Sequence, residues 1–132
     1  MKTGLDMLSV QEQLEIILRG VVETLPANEL QKKIEKSVQS GVPLRIKLGV
    51  DPTAPDVHLG HTVVMRKLAQ FQKLGHQVVL IVGDYTATVG DPSGRTKARP
   101  RLSHAEVLDN ARTYQEQFFK IVDRQKTEVM FN

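Results

Sequence analysis

Residues 44–61 read Leu44-Arg45-Ile46-Lys47-Leu48-Gly49-Val50-Asp51-Pro52-Thr53-Ala54-Pro55-Asp56-Val57-His58-Leu59-Gly60-His61, and the changes of pattern within and just after this stretch decide the fold class. Up to Val50, apolar and polar side chains alternate with the period of a strand. Asp51 to Asp56 is not regular structure, because Pro52 and Pro55 each lack an amide proton and restrict the residue before them. From about Thr62 to Leu74 the spacing turns helical, with Val64, Leu68 and Phe71 on one face, and Gly75 is placed to end the helix in the left-handed conformation. Gln77 to Val82 is a short apolar run, read as a strand buried on both faces.

Beyond it, Gly83 to Leu102 is a loop rich in Gly, Pro, Thr and Asp. It is longer than connections usually are, which favours a functional role. Ser103-His104-Ala105-Glu106 has the Ser-x-x-Glu form of a capping box. It opens a helix expected to turn Val107, Leu108, Ala111, Phe118 and Ile121 or Val122 inward. Strand, loop, helix, strand, loop, helix is the alternation of a parallel sheet with right-handed crossovers. Two strands are expected. A parallel sheet needs further strands and cover on both faces, so the fold class is α/β, the first half of a Rossmann-like domain.

Towards the N-terminus two helices are expected. Ser9-Val10-Gln11-Glu12 is another capping box, followed by Val10, Leu14, Ile17, Leu18 and Val21 at helical spacing. A second helix is predicted from about Ala27 to Ser40, with Leu30, Ile34 and Val38 four apart, Gly41 stopping it and Pro43 barring continuation. The chain thus divides into a helical segment, residues 1–43, and an incomplete Rossmann-like domain, residues 44–132.

At 132 residues, with 40% hydrophobic and 25% charged content, the sequence has the size and composition of one ordinary globular domain. The longest apolar run, Val78 to Val82, is far short of the ~20 residues that cross a bilayer. Residues 1–8 have no apolar signal-peptide core, so a cytoplasmic location with no membrane partner is expected. The absence of cysteine excludes disulfides, a thiolate nucleophile and a cysteine-based zinc site. The net charge of +3 is mild, but Arg95, Lys97, Arg99 and Arg101 fall together with no acidic residue among them. Such a run is a solvated loop or an anion site.

Pro52 to His61 lies between a strand and the first turn of a helix, at the carboxyl end of a parallel sheet, where open α/β folds bind ligands. Helix amides there are unpaired and the dipole is positive, so a phosphate is favoured. Gly60 lets a flat base or a phosphate approach without meeting a Cβ. His58 and His61 offer imidazole donors where negative charge would sit. A metal reading of His58 and His61 is weak, since two ligands come with no third, and no metal site is expected. Taken alone, Gly83 to Arg95 marks a turn, and Asp91 is compatible with an Asx-turn.

Together these segments resemble a known family. His58-Leu59-Gly60-His61 resembles the "HIGH" signature of class I aminoacyl-tRNA synthetases, with Leu for Ile. Asp51-Pro52-Thr53-Ala54 and Gly90-Asp91-Pro92-Ser93-Gly94, in that order and spacing, are similar to the bacterial tyrosyl branch. The likeness is strong over residues 44–102 and looser in the flanks. It implies that an amino acid carboxylate attacks the α-phosphate of ATP, that pyrophosphate leaves, and that the aminoacyl group passes to tRNA.

In that likeness Thr53, His58 and His61 match the catalytic residues, which meet charge moving onto pyrophosphate. Pro52 and Gly60 belong to the same ATP-binding segment. Arg95 and Arg99 match basic residues of a loop that closes on the pyrophosphate. Asp91 matches the carboxylate that holds the substrate ammonium, and Asp51 a position at the nucleotide and amino acid site. The resemblance implies ATP with Mg²⁺, tyrosine as substrate, tRNA(Tyr) bound through parts beyond this chain, and a homodimer for the complete protein. Two departures stand out. Lys47 occupies a position where a tyrosine commonly bonds the substrate phenol, which keeps the tryptophanyl branch open. No lysine-rich "KMSKS" sequence occurs within the 132 residues. A truncated fragment inactive on its own is therefore expected, and a synthetase-like binding module without catalysis is the alternative.

Overall fold

In the computed structural model, residues 8–51, 59–83 and 103–131 are described. The order is α1 (Val10–Leu18), α2 (Glu29–Ser40), β1 (Arg45–Val50), α3 (Leu59–Lys73), β2 (Gln77–Val82), α4 (His104–Phe118), a 3-10 turn (Arg124–Lys126) and β3 (Thr127–Phe131). The α/β class read from the sequence is the class observed. The three strands are parallel in the order β1-β2-β3.

The third strand corrects the expectation of two. Thr127-Glu128-Val129-Met130-Phe131 carries a charge near its start and no long alternation, so its sequence gives little strand signal. Tertiary bonds define its start instead. Gln72, buried on α3, places its amide nitrogen against the carbonyl oxygens of Asp123 and Lys126 (both 3.1 Å) and Oγ1 of Thr127 (2.9 Å). Its Oε1 accepts from the Asp123 amide at 2.9 Å. One side chain thus satisfies much of a turn that would otherwise carry unpaired backbone groups into the interior.

Register places Ile46, Leu48 and Val50 beside Val78, Leu80 and Val82, which in turn pair with Thr127, Val129 and Phe131. The main core unites this strand face with Met65 and Leu68 of α3, Ala111, Tyr114 and Phe118 of α4, and Val122. The reading of β2 as buried on both faces agrees with Val79, which points to the opposite side and is also buried. A second cluster joins Ile17 of α1 and Ile34 of α2 to Phe71 and Leu74.

Helix ends differ from the sequence reading for local reasons. Ser9 caps α1 by accepting from the Glu12 amide at 3.2 Å. The helix stops at Leu18 rather than Val21 because Arg19 is extended and Gly20 has φ +78°. From α3, Lys67 donates to the carbonyl oxygens of Ile17 (2.7 Å) and Arg19 (3.0 Å), a cation on the negative end of α1. Asn28, at φ 76°, delays α2 to Glu29, and Gly41 closes it in the left-handed region by donating to Ser37 O at 2.9 Å. At α4 both halves of the capping box form, Ser103 N to Glu106 Oε2 at 2.9 Å and Glu106 N to Ser103 Oγ at 3.2 Å.

Three inward assignments are corrected. Leu18 of α1 is 43% exposed. Leu108 is 45% exposed. The buried face of α4 runs Val107, Ala111, Tyr114, Phe118, and Leu108 lies about 100° round the helix from Val107. Val64 is 46% exposed, whereas Phe71, on the same side of α3, is covered by α1 and α2; Met65 enters the core instead.

Candidate active site

The carboxyl ends of β1 and β2 close together, the Gly83 amide donating to Val50 O at 2.8 Å in the last rung of the ladder. Asp51 follows β1 directly at this edge. The helix α3 includes Leu59, so Gly60 and His61 stand in its first turn rather than ahead of the predicted start at Thr62. First-turn amides have no partner within the helix, and the dipole there is positive.

Of the residues singled out from the sequence, Lys47, Asp51, Gly60 and His61 are described. Pro52, Thr53, His58, Asp91, Arg95 and Arg99 lie outside the described residues, as does the loop reading of residues 84–102. Lys47 sits mid-strand on β1, exposed, on the face opposite Ile46 and Leu48. Gly49 shares that face, and a Cβ built on it would meet nothing within 4 Å. Strand alternation carries the same face on to Asp51. Lys47, Gly49 and Asp51 therefore form a row leading to the sheet edge, with open space over the glycine. The spacing of 47, 49 and 51 was the available signal for Gly49.

Lys47 also shares its cross-strand row with Val79 and Glu128. Glu128 is engaged elsewhere, its carboxylate 2.7 Å from the Arg45 guanidinium. His61 is half-buried and meets the ring of Tyr114 at a centroid distance of 6.4 Å and an angle of 67°. Burial pushes the Tyr114 hydroxyl pKa above its ordinary value, so it stays a neutral phenol at physiological pH. Periodicity alone did not select Tyr114, because a Tyr at a helical core spacing has no separate functional signature. Among the described residues no group of three His, Cys, Asp or Glu side chains is placed to hold a metal ion, and no helix is long and apolar enough to cross a membrane.

The family model described as tRNA synthetases class I (W and Y) matches residues 39–132. A tyrosine–tRNA ligase of Carboxydothermus hydrogenoformans is 60% identical over 123 residues, covering 93% of this chain and 30% of that protein. One from Geobacter metallireducens is 57% identical over 125 residues, 95% of this chain and 31% of its own length. The chain thus spans about a third of the curated relatives it matches. In structure it is similar to the tyrosyl-tRNA synthetase of Archaeoglobus fulgidus, solved with L-tyrosine (TM-score 0.75, 21% identity, 94% of this chain and 35% of that one). It is also similar to a tryptophanyl-tRNA synthetase homologue from Entamoeba histolytica (TM-score 0.61, 14% identity, 96% and 34%). These two likenesses concern the fold. With Leu59, Gly60 and His61 at the head of α3, the parallel sheet behind them and the family match over most of its length, the chain belongs to the class I tRNA synthetases of the tryptophanyl and tyrosyl group.

Proposed function

We propose that this chain is the amino-terminal part of a tyrosine–tRNA ligase, which activates tyrosine with ATP to tyrosyl-adenylate and transfers it to tRNA(Tyr). The observation that carries this reading is the 60% identity to a tyrosine–tRNA ligase over 93% of the chain. Residues 1–43 serve as a helical buttress and residues 44–132 as the first part of the catalytic domain. The nucleotide phosphates lie against the start of α3, where Gly60 permits close approach and Thr53, His58 and His61 donate to charge as it builds on the leaving pyrophosphate. Pro52 belongs to the same ATP-binding segment. Arg95 and Arg99 close on the same anion. Mg²⁺ arrives with ATP, as part of the substrate.

The amino acid lies along the row of Lys47, Gly49 and Asp51, with Asp91 accepting a charge-assisted bond from its ammonium group. Lys47 takes a place in reading the phenol, Glu128, two strands away in the same row, being held by Arg45. The complete ligase binds tRNA(Tyr) through parts beyond this chain, forms a homodimer and works in the cytoplasm. Lys47 leaves open a second reading, in which the site takes tryptophan.

The test is ATP–pyrophosphate exchange by the complete ligase with tyrosine or tryptophan as the amino acid. Exchange driven by tyrosine alone supports the proposal, and exchange driven by tryptophan supports the second reading. Nucleotide binding with no exchange for either would leave a binding module. The 132-residue chain by itself is expected to show no useful exchange.

A further inference from the structure

His61 stands in the first turn of α3, where the helix itself gives a side chain little to lean on. Contacts from other elements therefore bear on its rotamer. The edge-to-face contact with Tyr114 on α4 is one such contact. Tyr114 is itself well anchored. It is 8% exposed and stacks on Phe118, with centroids 6.1 Å apart and planes inclined by 23°. Phe118 is fully buried and meets Phe119 edge-on at 5.2 Å. The Arg124 guanidinium lies over Phe119, 4.3 Å from its centroid. A row of rings in a close-packed core has little freedom to rotate, so the end that meets His61 is rigid.

We propose that Tyr114 is a positioning residue for the adenylation site: its ring holds the His61 imidazole in one rotamer, so that the histidine donor is in place before the nucleotide arrives. The inference rests on the reading of His61 as a nucleotide-site residue, and goes beyond it by naming the group that orients this histidine. The contact is made by the ring, so the hydroxyl of Tyr114 is dispensable for it. Preorganised donors stabilise developing charge without a cost of reorientation during the reaction. The loss on removing the ring is therefore expected in the rate of adenylate formation and not in tyrosine affinity.

The experiment is a double-mutant cycle in the complete ligase, read by pre-steady-state adenylate formation. Tyr114→Met, which keeps most of the volume but removes the ring, is combined with His61→Ala; Tyr114→Leu replaces it if the Met variant does not fold. An aromatic contact of this kind corresponds to roughly a 3- to 10-fold change in rate. The expected result is a loss of about that size from Tyr114→Met in the parent and none in the His61→Ala background. Tyr114→Phe should retain the parent rate. Val107→Ala, which weakens the same helix away from His61, should lower the melting temperature without any coupling to His61.

Equal losses from Tyr114→Met in both backgrounds, or a loss on Tyr114→Phe as large as on Tyr114→Met, would overturn the proposal while leaving the role of His61 standing. A His61→Ala variant with the parent rate would instead remove the reading of His61, and the proposal with it.

Discussion

Nε2 of His76 donates to Oε1 of Gln13 across 2.8 Å, joining the turn before β2 to helix α1 over 63 residues of sequence. The tautomer follows from the neighbours. The Leu44 amide can only donate, and it lies 3.0 Å from Nδ1, so Nδ1 accepts and the proton is on Nε2. Gln13 completes the chain by donating from Nε2 to Leu8 O at 2.8 Å. Both side chains are fully buried. A neutral histidine is therefore built into the junction of α1, β1 and the α3–β2 turn.

This junction predicts acid sensitivity. Burial holds the His76 pKa below its ordinary 6.5, and the Leu44 amide leaves no room for a second ring proton. Because the folded value is lowered, the unfolded chain binds the proton first. The contribution to stability is full above about pH 6.5 and is lost as pH falls from there through the lower folded value. Thermal melting between pH 7.5 and 5 should show a midpoint that declines with acidity, and the decline should be shallower in His76→Gln. Equal slopes for parent and variant would refute the assignment.

Gln13→Leu tests the same junction without changing charge. The substitution leaves the His76 Nε2 proton and the Leu8 carbonyl without their partner. A buried group left unsatisfied costs about 1–3 kcal/mol. Urea unfolding should register a loss in that range, with the amides of α1 exchanging faster than those of β2. A loss below about 0.5 kcal/mol would mean that water or a rearranged side chain replaces the amide.

Gln72→Leu should act at the same end of α3 but towards β3. It removes the bonds to Asp123, Lys126 and Thr127 that hold the entry to β3. The expected cost is again about 1–3 kcal/mol, and hydrogen exchange should show residues 127–131 losing protection before residues 77–82. Arg45→Ala provides the contrast. Its 2.7 Å bridge to Glu128 also ties down β3, but the two side chains are 51% and 41% exposed. Exposed pairs of this kind contribute about 0–1 kcal/mol, so protection of β3 should change little.

These cases mark what the sequence could and could not disclose. Periodicity placed β1, β2 and all four helices, because each buries a face whose spacing is written locally. It missed β3, whose start depends on Gln72, more than fifty residues earlier. It turned Leu108 inward because an apolar residue beside a buried one reads alike until the phase of the helix is known. At the candidate site, the position of Gly60 and His61 near the start of α3 was legible from the change of pattern after β1. Tyr114 was not, since its contact with His61 joins two helices whose crossing no local pattern specifies. Gln13 and His76 carry no local signal, because a buried polar pair is recognisable only when both halves are seen together.

The final prediction separates two kinds of binding in the complete ligase. Thr53 and His58 are proposed to donate to oxygens that gain charge only as pyrophosphate departs. Interactions stronger in the transition state than in the ground state raise the rate and leave substrate affinity alone. Thr53→Ala and His58→Ala should therefore slow adenylate formation by about 10²- to 10³-fold, the scale for losing one such donor, with tyrosine affinity nearly unchanged. Asp91 is proposed to meet a different demand, holding the substrate ammonium. The substrate ammonium is charged before and during the reaction, so Asp91→Ala should weaken tyrosine binding directly. A hydrogen bond to a charged group contributes about 1.5–3 kcal/mol, which corresponds to a rise of roughly 10- to 150-fold in the tyrosine dissociation constant. Stopped-flow measurement of tyrosine affinity and adenylate rate for each variant gives both quantities. If His58→Ala raised the tyrosine dissociation constant and left the rate intact, the histidine would be a ground-state contact, and the assignment of transition-state stabilisation to this segment would be wrong.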